Sequence, residues 1–126
     1  MSRSFDPEIL DLLDESKEVF IETSSKADSP ERRTIIWVVV VESEVFVRSV
    51  QGRKGRWYQR ISAHPEGALI AGDASIPVRA APATDEETVD AVSAAFRSKY
   101  EKEWPGPTEG MVRPATLPTT LKLSPA

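Results

Sequence analysis

The stretch that most narrows the fold is Thr34-Ile35-Ile36-Trp37-Val38-Val39-Val40-Val41. Every residue in it is β-branched or aromatic, the types that suit a pleated, packed surface. Its apolar part, Ile35 to Val41, is seven residues long, whereas a membrane helix needs about 20. The run is continuous rather than alternating, which predicts a strand buried on both faces. One face then lies on the core, and the other under a second layer or a partner subunit. Glu42-Ser43-Glu44 supplies a tight connection. Residues 45–50 return with a period of two: Val45, Val47 and Ser49 on one face, Phe46, Arg48 and Val50 on the other. Arg48 thus shares a face with two apolar residues, where a charge must reach solvent or find an anion.

The remaining elements follow from spacing. Phe5, Ile9, Leu12 and Leu13 predict a helix over 5–14, with Pro7 tolerated in its first turn. Val19-Phe20-Ile21 centres a strand over 17–23, and the polar segment 24–31, with Pro30, is a loop. A short helix over 57–64 ends at His64-Pro65. Strands follow at 68–71 and 75–83, the second marked by Pro77 and Pro82 as an edge or bulge. Thr84 with Glu87 fits a capping box. It opens a long helix over 85–103 with Val89, Val92, Phe96 and Tyr100 as the inner stripe. Trp104-Pro105-Gly106-Pro107 ends that helix abruptly, and 119–124 reads as the last strand. Six strands with connecting helices make a mainly β, α+β arrangement in one domain, 1–126, with no internal repeat.

Charge points to a site. Arg48, Arg53, Lys54, Arg56 and Arg60 fall within 13 residues that contain no acid. The whole chain holds 16 basic and 20 acidic residues, so positive charge is concentrated here. Gly52 and Gly55 punctuate the run and Trp57-Tyr58 follows it. A glycine-containing loop with cations and free amides is a candidate anion cradle. The alternative is a solvated surface turn. Trp57 and Tyr58 either stack on a ring or pack the short helix onto the sheet.

The composition also excludes chemistry. There is no cysteine, so disulfides and thiolate catalysis are absent. A single histidine, His64, supplies neither a metal cluster nor an imidazole relay. No Ser-His-Asp pattern, paired carboxylates or phosphate-loop motif is present. A net charge of −4 argues against general nucleic-acid affinity. No apolar leader or membrane span is expected, and the expected location is the cytoplasm.

The segment from Arg33 to Thr84 resembles the flavin- and deazaflavin-binding split barrel of pyridoxamine-phosphate-oxidase-like proteins. It is most similar to short bacterial members related to deazaflavin-dependent nitroreductases. The residues that carry the resemblance are the 34–49 hairpin, Gly52-Arg53-Lys54-Gly55, Trp57-Tyr58, Ala63-His64-Pro65 and Ile76-Pro77-Val78-Arg79-Ala80. The tail Arg113-Pro114 with 117–121 is similar to that of a small subfamily. The resemblance implies a six-stranded split β-barrel that forms a homodimer, with FMN or a deazaflavin at the interface. Carried over by position, Arg48, Ser49, Arg53, Lys54, Trp57 and Tyr58 are the candidate cofactor-binding residues. Many flavin-binding members carry arginines and hydroxyls along the preceding strand, which here is apolar apart from Thr34 and Trp37. Two functions follow. The first is an oxidoreductase-like protein whose cofactor acts on a small substrate. The second is a non-enzymatic dimeric module whose basic loop binds another phosphate-bearing small molecule, anion or partner.

Overall fold

The computed structural model describes residues 4–23 and 32–126. The loop expected over 24–31 lies outside the described residues. The elements are α1 (Pro7–Glu15), β1 (Val19–Thr23), β2 (Arg32–Ile36), β3 (Val38–Val41), β4 (Glu44–Val47), α2 (Arg56–Ala63), β5 (Glu66–Ala71), β6 (Ala74–Pro82), α3 (Glu86–Tyr100), α4 (Pro105–Val112) and β7 (Leu121–Pro125). Short 3-10 turns occupy Gly52–Lys54 and Leu117–Thr119. The seven strands form one antiparallel sheet in the order β2-β1-β5-β6-β7-β4-β3.

The count is seven, not six, because the apolar run of 34–41 is not one strand. It breaks at Trp37. Its first half pairs with β1 (Ile21 opposite Thr34), and its second half pairs with β4 (Val39 opposite Phe46). Those two pairings lie at opposite ends of the sheet. One short peptide link therefore joins the two outer strands, and the sheet must curl to allow it. Only the second half is buried on both faces. Val38 packs inside the curl, while Val39 packs under α3 with Phe46, Val92 and Phe96. On the first half, Ile35 is 55% exposed.

The β3–β4 turn is a two-residue loop, with Glu42 and Ser43 both at positive φ (50° and 67°). That is the primed turn whose twist matches the hairpin strands. Along β4 the expected alternation holds: Val45 and Val47 enter the inner core, and Phe46 faces α3.

β6 lies in the middle of the sheet, not at its edge. Its prolines are tolerated by register. β5 pairs with 74–79 and β7 with 78–82, so Pro77 and Pro82 each sit where β6 has a partner on one side only. α3 is capped by Asp85, whose carboxylate accepts from the Thr88 N–H at 3.1 Å, one residue later than the expected Thr84 cap. It ends at Tyr100, and α4, which the sequence reading lacks, begins at Pro105. Among the described residues no helix is long and apolar enough to cross a membrane.

Candidate functional site

β4 ends at Val47, and the next two side chains keep its alternation. Arg48 continues the Phe46 face towards α3. It is 1% exposed. Its Nε donates to Thr120 Oγ1 (2.8 Å), Nη1 to Ser93 Oγ (2.8 Å) and the Met111 carbonyl (3.1 Å), and Nη2 to the Val89 carbonyl (2.8 Å). The guanidinium also lies 5.6 Å from the centre of the Phe96 ring. All four acceptors are neutral, and no carboxylate pairs with it among the described residues. Burial lowers its pKa to about 10, so it stays charged at neutral pH. The charge that the sequence sent to solvent or an anion is met first by carbonyls and hydroxyls of α3, α4 and the segment leading into β7.

Ser49 points the other way and is 1% exposed. Its backbone N–H donates to Thr119 Oγ1 at 3.0 Å. Its own Oγ is buried without any hydrogen-bond partner. The hydroxyl rests against Gly55: a Cβ built there would overlap the Ser49 Oγ. Gly55 is also the N-cap of α2 and offers no side-chain cap.

The glycine loop is not an open cradle. The Gly52 N–H donates to the Ser49 carbonyl and the Gly55 N–H to the Gly52 carbonyl. Both amides are consumed in closing the turn. Gly52 is required for its φ of +66° and because a Cβ would sit 3.0 Å from the Ala115 carbonyl oxygen.

Arg48 and Ser49, although almost fully buried, are among the residues that line a cleft of about 340 Å³. Ile35, Ile36, Trp37, Trp57, Pro107 and Met111 supply apolar walls, and Val50 and Glu18 also line it. Trp37 is held by parallel stacking on Tyr100, with ring centres 4.0 Å apart. Tyr100 is fixed in turn, since its hydroxyl donates to the Lys17 carbonyl at 2.7 Å and receives the Val38 N–H at 3.3 Å. Trp57 serves both the cleft and the core.

Of the six sequence candidates, the fold brings Arg48, Ser49 and Trp57 into the cleft. Arg53 and Lys54 are exposed on the 3-10 turn, and Arg53 faces a different hollow beside Thr84 and Glu86. Tyr58 packs edge-on against Trp57 and borders the core. The sequence reading missed the α4 wall, Pro107 and Met111, because Pro105-Gly106-Pro107 read as a stop. Proline in a first turn is also a helix start, and that signal was available. Trp37 was expected in core or interface; an aromatic interrupting a valine run was its only cue.

The family model described as an uncharacterized protein conserved in bacteria, DUF2255, matches residues 9–123. The chain belongs to the DUF2255 family. No curated protein matches it. Solved structures similar to this DUF2255 chain include HutZ, the haem storage protein from Vibrio cholerae. That likeness has a TM-score of 0.67 at 14% identity, covering 98% of this chain and 91% of that one. An F420-H2-dependent reductase, FDR-A, is similar with a TM-score of 0.63 at 15% identity, covering 86% and 94%. A candidate pyridoxamine 5′-phosphate oxidase from Listeria innocua is similar with a TM-score of 0.61 at 13% identity, covering 94% and 90%. These likenesses show that the DUF2255 chain has the split-barrel fold. Among the described residues no group of three or more His, Asp or Glu side chains converges as a metal site.

Proposed function

We propose that this chain is a redox protein whose cleft takes the ring system of FMN or of a deazaflavin. The observation that carries the reading is the Ser49 hydroxyl, buried and unpartnered on a residue that lines the cleft, and next in sequence to a buried cation with no carboxylate partner among the described residues. A buried hydroxyl without a bond and a buried charge without a pair are both costly. A flat, apolar ligand with polar edges and an anionic character relieves both. Trp37, Trp57, Ile35 and Met111 suit its faces, and Ser49 suits an edge heteroatom.

In this reading Arg48 acts through its charge and by fixing α3 and α4. Arg53, Lys54 and Tyr58 stand outside the cleft, where the phosphate-bearing part of the ligand would emerge. The cofactor would supply hydride or electron transfer, and the protein binding and orientation. The similarity to an F420-H2-dependent reductase and to a candidate pyridoxamine phosphate oxidase supports this choice. Haem, the group that HutZ stores, suits the cleft less well. Its lining offers the Met111 thioether and no imidazole, since His64 lies beyond the far end of α2.

We place a second copy of the chain over the cleft rim. Ile35, Val50 and Phe20 are 55%, 49% and 41% exposed, and Phe20 is the register partner of Ile35. Such apolar exposure suits a homodimer.

The test is titration of the purified chain with FMN and with a deazaflavin, followed by absorption and fluorescence. One cofactor should bind saturably, and Ser49→Ala should weaken it about tenfold, the worth of one buried hydrogen bond. Absence of binding to either leaves the non-enzymatic module as the reading.

A further inference from the structure

We propose that Arg32, Arg56 and Arg60 form a separate oxyanion site for a small ligand carrying two or more phosphate-type charges. It does not depend on what the cleft binds. The three guanidiniums, with Gln59, Ala63 and His64, line a hollow of about 510 Å³ on the side of α2 away from Trp57. Among the described residues no acidic side chain lines it.

The arrangement is partly preorganised. Arg60 Nε donates to Thr23 Oγ1 at 2.8 Å, and Thr23 is 1% exposed. That bond anchors the side chain, and among the described residues both terminal nitrogens remain for a bidentate oxyanion. Arg56 and Arg60 are four residues apart on one helix, where like charges repel. Arg32 approaches from β2. The Arg60 pKa is lowered, first by burial and then by the charges of Arg32 and Arg56. Gln59 Nε2 is already committed to the Arg53 carbonyl at 3.1 Å. Three cations held together, with no acidic side chain among the described residues of the hollow, are destabilising alone and favourable around a multiply charged anion. The phosphoryl chemistry is common to phosphorylated small molecules and to nucleic-acid backbones. The chain's net charge of −4 favours the small molecule.

The test is calorimetric titration with inorganic pyrophosphate at about physiological ionic strength, where exposed charges beyond a Debye length are screened. The expected result is saturable one-to-one binding, weakened about tenfold or more by Arg60→Gln and by Arg56→Gln. Lys102→Gln, an exposed charge just beyond the end of α3, should leave it unchanged, and so should Ser49→Ala. Binding by Ser49→Ala as by the parent protein keeps this site distinct from the cleft. No saturable heat, or equal binding by both arginine variants, overturns the proposal. A single-stranded oligonucleotide binding more tightly through the same arginines, with a steep salt dependence, also overturns it in favour of a backbone.

Discussion

The unpartnered Ser49 hydroxyl makes an unusual coupling measurable. It is buried, makes no hydrogen bond, and lies where a Gly55 Cβ would be. Ser49→Ala removes a polar group that is not repaid by any bond, so the ligand-free protein should gain about 1 kcal/mol. Gly55→Ala alone forces a methyl into the hydroxyl. The short, buried serine cannot swing far, and overpacking of this kind costs about 1–3 kcal/mol. In the double variant the obstacle is gone. The nearest atoms to the new methyl are then the Gly52 carbonyl oxygen and the residue-49 Cβ, each at 3.4 Å, close to ordinary contact. Gly55 has φ −58° and ψ 127°, which alanine adopts without strain. Gly55→Ala should therefore change sign once Ser49→Ala is in place, becoming stabilising by about 0.5 kcal/mol through the unfolded chain. The coupling is about 2–3 kcal/mol, or about 8–12 °C in Tm for a chain of this length. Urea denaturation of the four proteins, followed by tryptophan fluorescence, measures it. A coupling below about 0.5 kcal/mol, the scatter of independent sites, refutes the packing described here. A Ser49→Ala variant less stable than the parent would show that the hydroxyl has a partner.

Two further outcomes are expected. Arg48→Met loses four bonds from a charged donor, about 1.5 kcal/mol each, against roughly 3 kcal/mol recovered by not burying the charge. A net destabilisation of about 3 kcal/mol in urea follows, and a neutral or stabilised variant would contradict it. Lys99 donates to the Leu13 and Val38 carbonyls, and burial lowers its pKa to about 8. A depressed pKa means the unfolded chain holds more protons between about pH 8 and the free lysine value, so stability should rise with pH across that window. Burial instead raises the Tyr100 pKa, which reverses the trend above about pH 10, where the unfolded tyrosine ionises. Denaturation midpoints at several alkaline pH values check this. Lys99→Met should flatten the rise, and an unchanged profile would refute the assignment.

The parts of the fold legible in the sequence were those fixed locally. The alternation of 45–50 placed Phe46 and Arg48 on one face and Val45 and Val47 on the other, and the structure keeps that parity. Of the expected helix stripe, Val92, Phe96 and Tyr100 are buried as their spacing required, and Val89 is half-buried. The strand count was not local. Whether a run of apolar residues is one strand or two depends on its partners, and those partners, β1 and β4, lie in different parts of the sheet, each beside one of its two outer strands. No propensity distinguishes Ile35 from Val39, yet one is exposed and the other is 1% exposed. The β6 prolines show the same dependence: an edge signal was correct for each position and wrong for the strand.

The basic run shows why the site was only half legible. In the sequence Arg48 to Arg60 is one object. In the structure three geometries divide it. Strand alternation sends Arg48 inward, where its acceptors come from residues 41 to 72 positions away and leave no local trace. The 3-10 turn turns Arg53 and Lys54 outward and uses the glycine amides that were expected to hold an anion. The helical period then separates Trp57, on the cleft side of α2, from Arg56 and Arg60 on the other. Charge density was therefore a sound guide to where ligand chemistry concentrates and a poor guide to which ligand group each cation meets. The residue it could least have singled out is Ser49. Its significance lies in a bond it does not make, which exists only once Gly55 and the cleft walls have closed around it.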